Sequence, residues 1–180
     1  LDEARRALPR LITYPDSGGI EIVRQSLSQG LFKKFVFTDG MKSQKLADDI
    51  GANYLAGSFG TAPKGVESKG MSAFLRSYGK VTKADPNGPF ITNSYDAGMI
   101  LLLAIEKARS TDGKAIRDAI RAVANPPGTK VGPGDFVNAK AAIASGADIN
   151  YEGVAGAQDF DANGDVSGTY EHWNFGSDGK

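Results

Sequence analysis

Leu11-Ile12-Thr13-Tyr14-Pro15-Asp16-Ser17-Gly18-Gly19 and, further on, Phe35-Val36-Phe37-Thr38-Asp39-Gly40 are the stretches that decide the fold. Each is a short apolar run that breaks into a polar, glycine-bearing turn before a helical pattern begins. Pro15 removes a ladder donor and so ends the first strand. A helix is expected next, opened by Asp16 or Ser17 as cap, carrying Ile20, Val23 and Leu27 on one face and stopping at Gly30. After the second strand, residues 43–50 bury Leu46, Ala47 and Ile50 and end at Gly51, and residues 55–61 read as a third strand weakened by its glycines. Strand, helix, strand, helix, strand implies a parallel sheet and an α/β fold.

The organisation changes near Pro63. Met71, Phe74, Leu75 and Tyr78 keep the spacing of one helix face, and Asp85-Pro86-Asn87-Gly88-Pro89 breaks the chain after them. Residues 94–108 are apolar nearly all round, which predicts a central helix. Ala115, Ile116, Ala119, Ile120 and Val123 give an amphipathic helix capped near Thr111 or Asp112, and residues 135–145 give another carrying Phe136, Ala139 and Ile143. The last thirty residues turn β in character: 157–160 and 168–173 flank Asp161-Ala162-Asn163-Gly164-Asp165, whose Asn-Gly predicts a hairpin turn.

Composition narrows the function. The chain has 180 residues, 41% hydrophobic and 23% charged, enough for a real core. Its 21 basic and 21 acidic residues cancel, and no basic stripe recommends a nucleic-acid partner. The longest apolar run, residues 99–105, ends at Glu106, short of the roughly 20 residues that span a bilayer. Cysteine is absent, which excludes disulfides, thiol nucleophiles and thiolate metal sites. No export signal opens the chain. Leu1, Ala4 and Leu8 hold helical spacing without a cap ahead of them, so the chain is expected to start inside an element.

Strand-to-helix turns are where open α/β sheets place ligand groups. Here they offer Tyr14, Asp16, Ser17 and Asp39, and Thr92-Asn93-Ser94-Tyr95-Asp96-Ala97 adds Ser94 and Tyr95. Phenol rings, a carboxylate and hydroxyls suit a small polar ligand with a cationic amine, which a carboxylate pairs and aromatic rings face. Each residue also has a structural reading. The tyrosines can be half-buried aromatics, Asp39-Gly40 a tight turn and Ser94 a helix cap.

Other motifs weigh less. Asp159, Asp161, Asn163 and Gly164 match the first half of a calcium loop, but its twelfth position is Tyr170 instead of a bidentate Glu, so no metal site is expected. Ala56-Gly57-Ser58-Phe59-Gly60 approaches a hydrolase nucleophile elbow one residue short, with His172 as the only histidine. Serine hydrolysis is therefore a minor alternative to a non-enzymatic reading. No phosphate or dinucleotide fingerprint occurs, and no cofactor is expected.

The order Tyr-Pro-Asp-Ser-Gly-Gly with Arg24-Gln25, then Thr38-Asp39-Gly40, Asn93-Ser94-Tyr95-Asp96-Ala97, Phe160-Asp161-Ala162-Asn163-Gly164-Asp165 and Gly168-Thr169-Tyr170 resembles the periplasmic solute-binding proteins of branched-chain amino-acid ABC transporters. The resemblance covers essentially the whole chain but only the second half of such proteins. It implies a type I periplasmic-binding-protein-like fold of two Rossmann-like lobes joined by hinge crossovers and incomplete in this chain. Residues 1–61 would be part of the second lobe, 62–170 part of the first lobe and mostly helical with a terminal β-hairpin, and 171–180 a return to the second.

The same resemblance implies that Tyr14, Asp39 and Tyr95 line the interlobe cleft, with Asp16, Ser17 and Ser94 secondary. Asp39 stands where a longer Glu is usual, and by the same resemblance the residues holding a ligand carboxylate would come mostly from the family's amino-terminal half, which this chain does not contain. The implied partners are an amino acid or related small molecule, ABC permease subunits and the missing half of the receptor, in a periplasmic or extracytoplasmic location. A ligand-sensing regulator of the same fold is the alternative.

Overall fold

The structure, a computed structural model, describes residues 10, 11, 13–64, 66 and 69–176. The helical spacing of Leu1, Ala4 and Leu8 lies outside the described residues. The backbone divides into two compact units, Leu1–Pro63 with Tyr170–Lys180, and Lys64–Thr169.

In the first unit, β1 (Arg10–Leu11) pairs in parallel with β2 (Val36–Phe37), and β2 in parallel with β3 (Phe59–Pro63). The helix α1 (Gly19–Ser28) buries Ile20 and Val23 and ends in a Schellman motif. There the Leu31 N–H donates to the Ser26 carbonyl at 2.8 Å and the Gly30 N–H to Leu27 at 3.1 Å, with Gly30 at φ 64°. Neither Asp16 nor Ser17 caps α1. They form a 3₁₀ turn, Pro15–Ser17, and Gly18, at φ 96°, makes the corner into the helix. Such a corner strains any residue with a Cβ. Helix α2 (Gln44–Ile50) follows as the spacing predicts, burying Leu46 and Ala47.

Two expectations fail in this unit. Residues 55–61 are not one strand: Ala52–Leu55 is a short helix, α3, and the chain turns at Gly57 (φ 78°) before β3 starts. The predicted hairpin between 157–160 and 168–173 is replaced by a longer-range pairing. Strand β6 (Tyr170–Asn174) runs antiparallel to β3, with Thr61 opposite His172, giving the order β1-β2-β3-β6. The 161–165 turn itself is closed locally, by a single bridge between Phe160 and Val166 and by the Asp161 N–H donating to the Asp165 carbonyl at 2.9 Å, with no strands paired across it among the described residues.

The reason is packing. Trp173 on β6 stacks on Phe37 at 5.8 Å, and a Cβ on Gly60 would come within 2.5 Å of its indole ring and 2.8 Å of the Phe37 carbonyl oxygen. Gly60→Ala is therefore expected to destabilise this unit by about 1–3 kcal/mol through overpacking. Trp173 is the only tryptophan, so urea unfolding followed by its fluorescence measures this unit directly; an unchanged midpoint would contradict the packing.

The second unit is built on α5 (Ile91–Ala108), which lies against α6 (Gly113–Ala124) and α7 (Phe136–Ala144). Met99, Ile100, Leu103 and Ala104 meet Val123, Ile143 and Tyr151 in the core. The helix is not surrounded, however: Leu101 and Leu102 are half exposed. Asp112 caps α6, accepting from the Ala115 N–H at 2.9 Å. The helix α4 (Lys69–Val81) buries Phe74 and leaves Leu75 exposed.

The unit is not purely helical either. Strands β4 (Thr129–Val131) and β5 (Ile149–Tyr151) form a parallel pair that sequence periodicity does not announce.

Candidate functional site

In the first unit, Tyr14 and Asp39 leave the carboxyl ends of neighbouring parallel strands, β1 and β2. Asp39 opens a one-turn 3₁₀ segment, Asp39–Met41, and its Oδ1 accepts from the Gly40 N–H at 2.8 Å. A Cβ on Gly40 would lie 3.0 Å from Tyr14 Cε1 and 2.8 Å from the Thr13 carbonyl oxygen, so the phenol ring rests on the backbone immediately after the acid. Buried Met41 anchors this turn under Gly19, where a Cβ would meet its sulfur at 2.6 Å. Lys42 ties it to β6 by an ion pair with Glu171. Tyr14 is 57% exposed, a large apolar ring left open to solvent beside a carboxylate.

Asp16 and Ser17 are exposed on the adjoining turn. Asp16 pairs at 3.7 Å with Lys45, whose other partner is Asp49. The Ser17 N–H donates to the Tyr14 carbonyl at 3.1 Å, which shapes the turn beneath the ring. The first unit thus brings Tyr14, Asp16, Ser17 and Asp39 to one end of its sheet.

In the second unit, Tyr95 lies on the first turns of α5, partly buried and edge-on to Phe74 at 5.2 Å. Ser94 is exposed and does not cap the helix, because α5 already begins at Ile91; its N–H donates to the Phe90 carbonyl.

The residue that sequence reasoning passed over is Asp96. It is 1% exposed, and its carboxylate accepts from the Tyr151 hydroxyl (2.8 Å), the Val154 N–H (2.8 Å) and the Ala155 N–H (2.7 Å). Burial pushes its pKa up, and the three donors hold that rise back. Burial also raises the Tyr151 hydroxyl, helped by the Asp96 charge. Gly153 is required here, since a Cβ would sit 2.4 Å from Asp96 Oδ2. A signal existed: Asp96, Met99, Ile100 and Leu103 share one helix face, so an acid stands on an otherwise apolar stripe. Asp96 fixes the start of α5, and with it Tyr95, to the loop after β5. A cavity of about 670 Å³ opens at the carboxyl ends of β4 and β5, between Val131, Pro133 and Glu152, and neither Tyr95 nor Ser94 lines it.

The remaining motifs have structural explanations. Asp161 Oδ1 accepts from the Asn163 and Asp165 N–H groups, which hold its carboxyl below the usual range, and the Arg121 guanidinium donates to its carbonyl at 2.7 Å. Among the described residues no cluster of His, Asp or Glu is placed to hold a metal ion. The Ser58 hydroxyl is buried and accepts from the Phe35 N–H at 3.0 Å, while His172 is exposed and stacked on Phe59.

The family described as the receptor family ligand binding region matches residues 13–178. The chain belongs to this family. Two curated relatives of the receptor ligand-binding region align with parts of it. The chemotactic signal transduction system substrate-binding protein BasB of Halobacterium salinarum is 32% identical over 82 residues, 46% of this chain and 20% of that protein. The leucine-, isoleucine-, valine-, threonine- and alanine-binding protein of Pseudomonas aeruginosa is 27% identical over 109 residues, 61% of this chain and 28% of that protein.

Solved structures give the fold. The leucine binding protein LivK of Thermotoga maritima superposes with a TM-score of 0.58 at 22% identity, over 89% of this chain and 39% of LivK. The branched-chain amino acid transporter substrate binding protein LivJ of Streptococcus pneumoniae, in complex with isoleucine, gives 0.59 at 19%, over 95% of this chain and 41% of LivJ. The fold is that of the type I periplasmic binding proteins, and the chain spans well under half the length of these relatives.

Proposed function

We propose that this ligand-binding region belongs to the extracytoplasmic substrate-binding component of an ABC importer, taking an amino acid of branched-chain type or a related small polar molecule without chemical change. The observation that carries the reading is the exposed Tyr14 ring resting on Gly40 beside the Asp39 carboxylate. An ammonium group placed there gains a charge-assisted hydrogen bond and an aromatic face together. Tyr95, held by the Asp96 anchor, is the contact proposed from the second unit, and Asp16, Ser17 and Ser94 are supporting polar groups. A permease and the remainder of the receptor are the proposed partners. Likeness to proteins that bind leucine, isoleucine and valine supports the ligand class.

Likeness to a chemotactic substrate-binding protein favours a second reading, in which the same ligand is reported to a signalling partner. A thermal-shift screen of the intact protein against leucine, isoleucine, valine, threonine and alanine tests the ligand class. Binding to the folded state raises the midpoint with ligand concentration. A cooperatively unfolding sample that none of them stabilises would overturn the assignment. Co-purification with a permease or with a signalling receptor separates the two readings.

A further inference from the structure

At the opposite end of β2 from Asp39, a cavity of about 560 Å³ opens between α1, α2 and α3, within the size range of small-molecule sites. Leu27, Ile50 and Ala56 supply apolar surface, and Tyr54, 67% exposed, adds an open aromatic wall. Its charged lining is one-sided. Arg24 is neutralised by Glu21 and Asp49 by Lys45, whereas Lys33 and Lys34 carry no ion pair among the described residues. Both are exposed, and the Lys34 stem lies across Gly57, 3.0 Å from where a Cβ would stand. Two unpaired ammonium groups beside an apolar hollow select for a negative head on a hydrocarbon body.

We propose that this cavity is a second binding site, for a small amphipathic carboxylate, separate from the Tyr14 and Asp39 end of the unit. Its lining shares no residue with the Asp39 end, although Lys45 pairs with both Asp49 here and Asp16 there. Octanoate is the probe, titrated into the intact chain at low salt and followed by two-dimensional ¹H–¹⁵N NMR. Saturable shifts are expected at Lys33, Lys34, Asn53 and Tyr54, with Tyr14 and Asp39 unmoved. The surface variant Lys33→Glu/Lys34→Glu should bind about tenfold more weakly, as the loss of two exposed charge pairs implies. Octylammonium should not compete. Shifts that are absent or lie elsewhere, equal binding of octylammonium, or an unaffected double variant would overturn the site. A hexaglutamate peptide that displaces octanoate at lower concentration would overturn the small-molecule assignment in favour of an acidic protein segment.

Discussion

Asp96→Ala is expected to cost about 3–5 kcal/mol of stability, because it leaves the Tyr151 hydroxyl and the Val154 and Ala155 N–H groups without their acceptor in a closed interior. Asp96→Asn keeps one acceptor oxygen and should lose about half as much. The two variants also differ from the parent in pH response. Burial raises the native pKa of Asp96 above its ordinary 3.8, so the protonated acid is favoured in the folded state. Its contribution is greatest below the unfolded pKa and is lost as pH climbs from there through the raised native value. Urea midpoints measured across that window should therefore show the parent losing stability relative to Asp96→Asn as pH rises, then a constant gap. A gap independent of pH throughout would mean that Asp96 is not held as the structure holds it.

Asp39→Asn is the second large effect, and it falls on binding. Removing the charge while keeping the oxygen that accepts from Gly40 should leave the turn intact and weaken an amino-acid ligand by roughly thirtyfold or more, the cost of unpairing a desolvated ammonium. Tyr14→Ala should cost about tenfold through the lost aromatic face. Neither should move the ligand-free midpoint far, since Tyr14 is 57% exposed and the Asp39 carboxylate accepts only from its neighbour's N–H among the hydrogen bonds described. Isothermal titration of the intact protein reads both; equal affinity in parent and variants would remove these residues from the site.

The parts of the fold legible in the sequence were those whose cause is local. Phe35-Val36-Phe37 ahead of Asp39-Gly40, and the Ile20, Val23 and Leu27 stripe ended by Gly30, carry their periodicity and their stops with them. What was not legible depends on partners distant in sequence. Strand β6 goes to β3 because the Trp173 indole closes over Gly60, more than a hundred positions away, and an Asn-Gly turn cannot reveal that its flanks have a better partner. Strands β4 and β5 are three residues each and include Lys130 and Asn150, too short and too polar to show alternation. At the candidate site, the placement of Tyr14 and Asp39 after neighbouring parallel strands could be read because such turns are short and predictable. Asp96 was passed over although it interrupts the apolar face of Met99, Ile100 and Leu103, because its three donors come from residues 151–155, far along the chain.

The most direct test of the central claim, that Asp39 and Tyr14 receive a cationic amine, is isothermal titration of the intact protein with leucine and with 4-methylpentanoate, the same molecule without its amine. Saturable binding of leucine, at least a hundredfold weaker binding of the des-amino acid, and the loss of that discrimination in Asp39→Asn are expected. Comparable affinity for the two compounds, or discrimination that survives in Asp39→Asn, would contradict it.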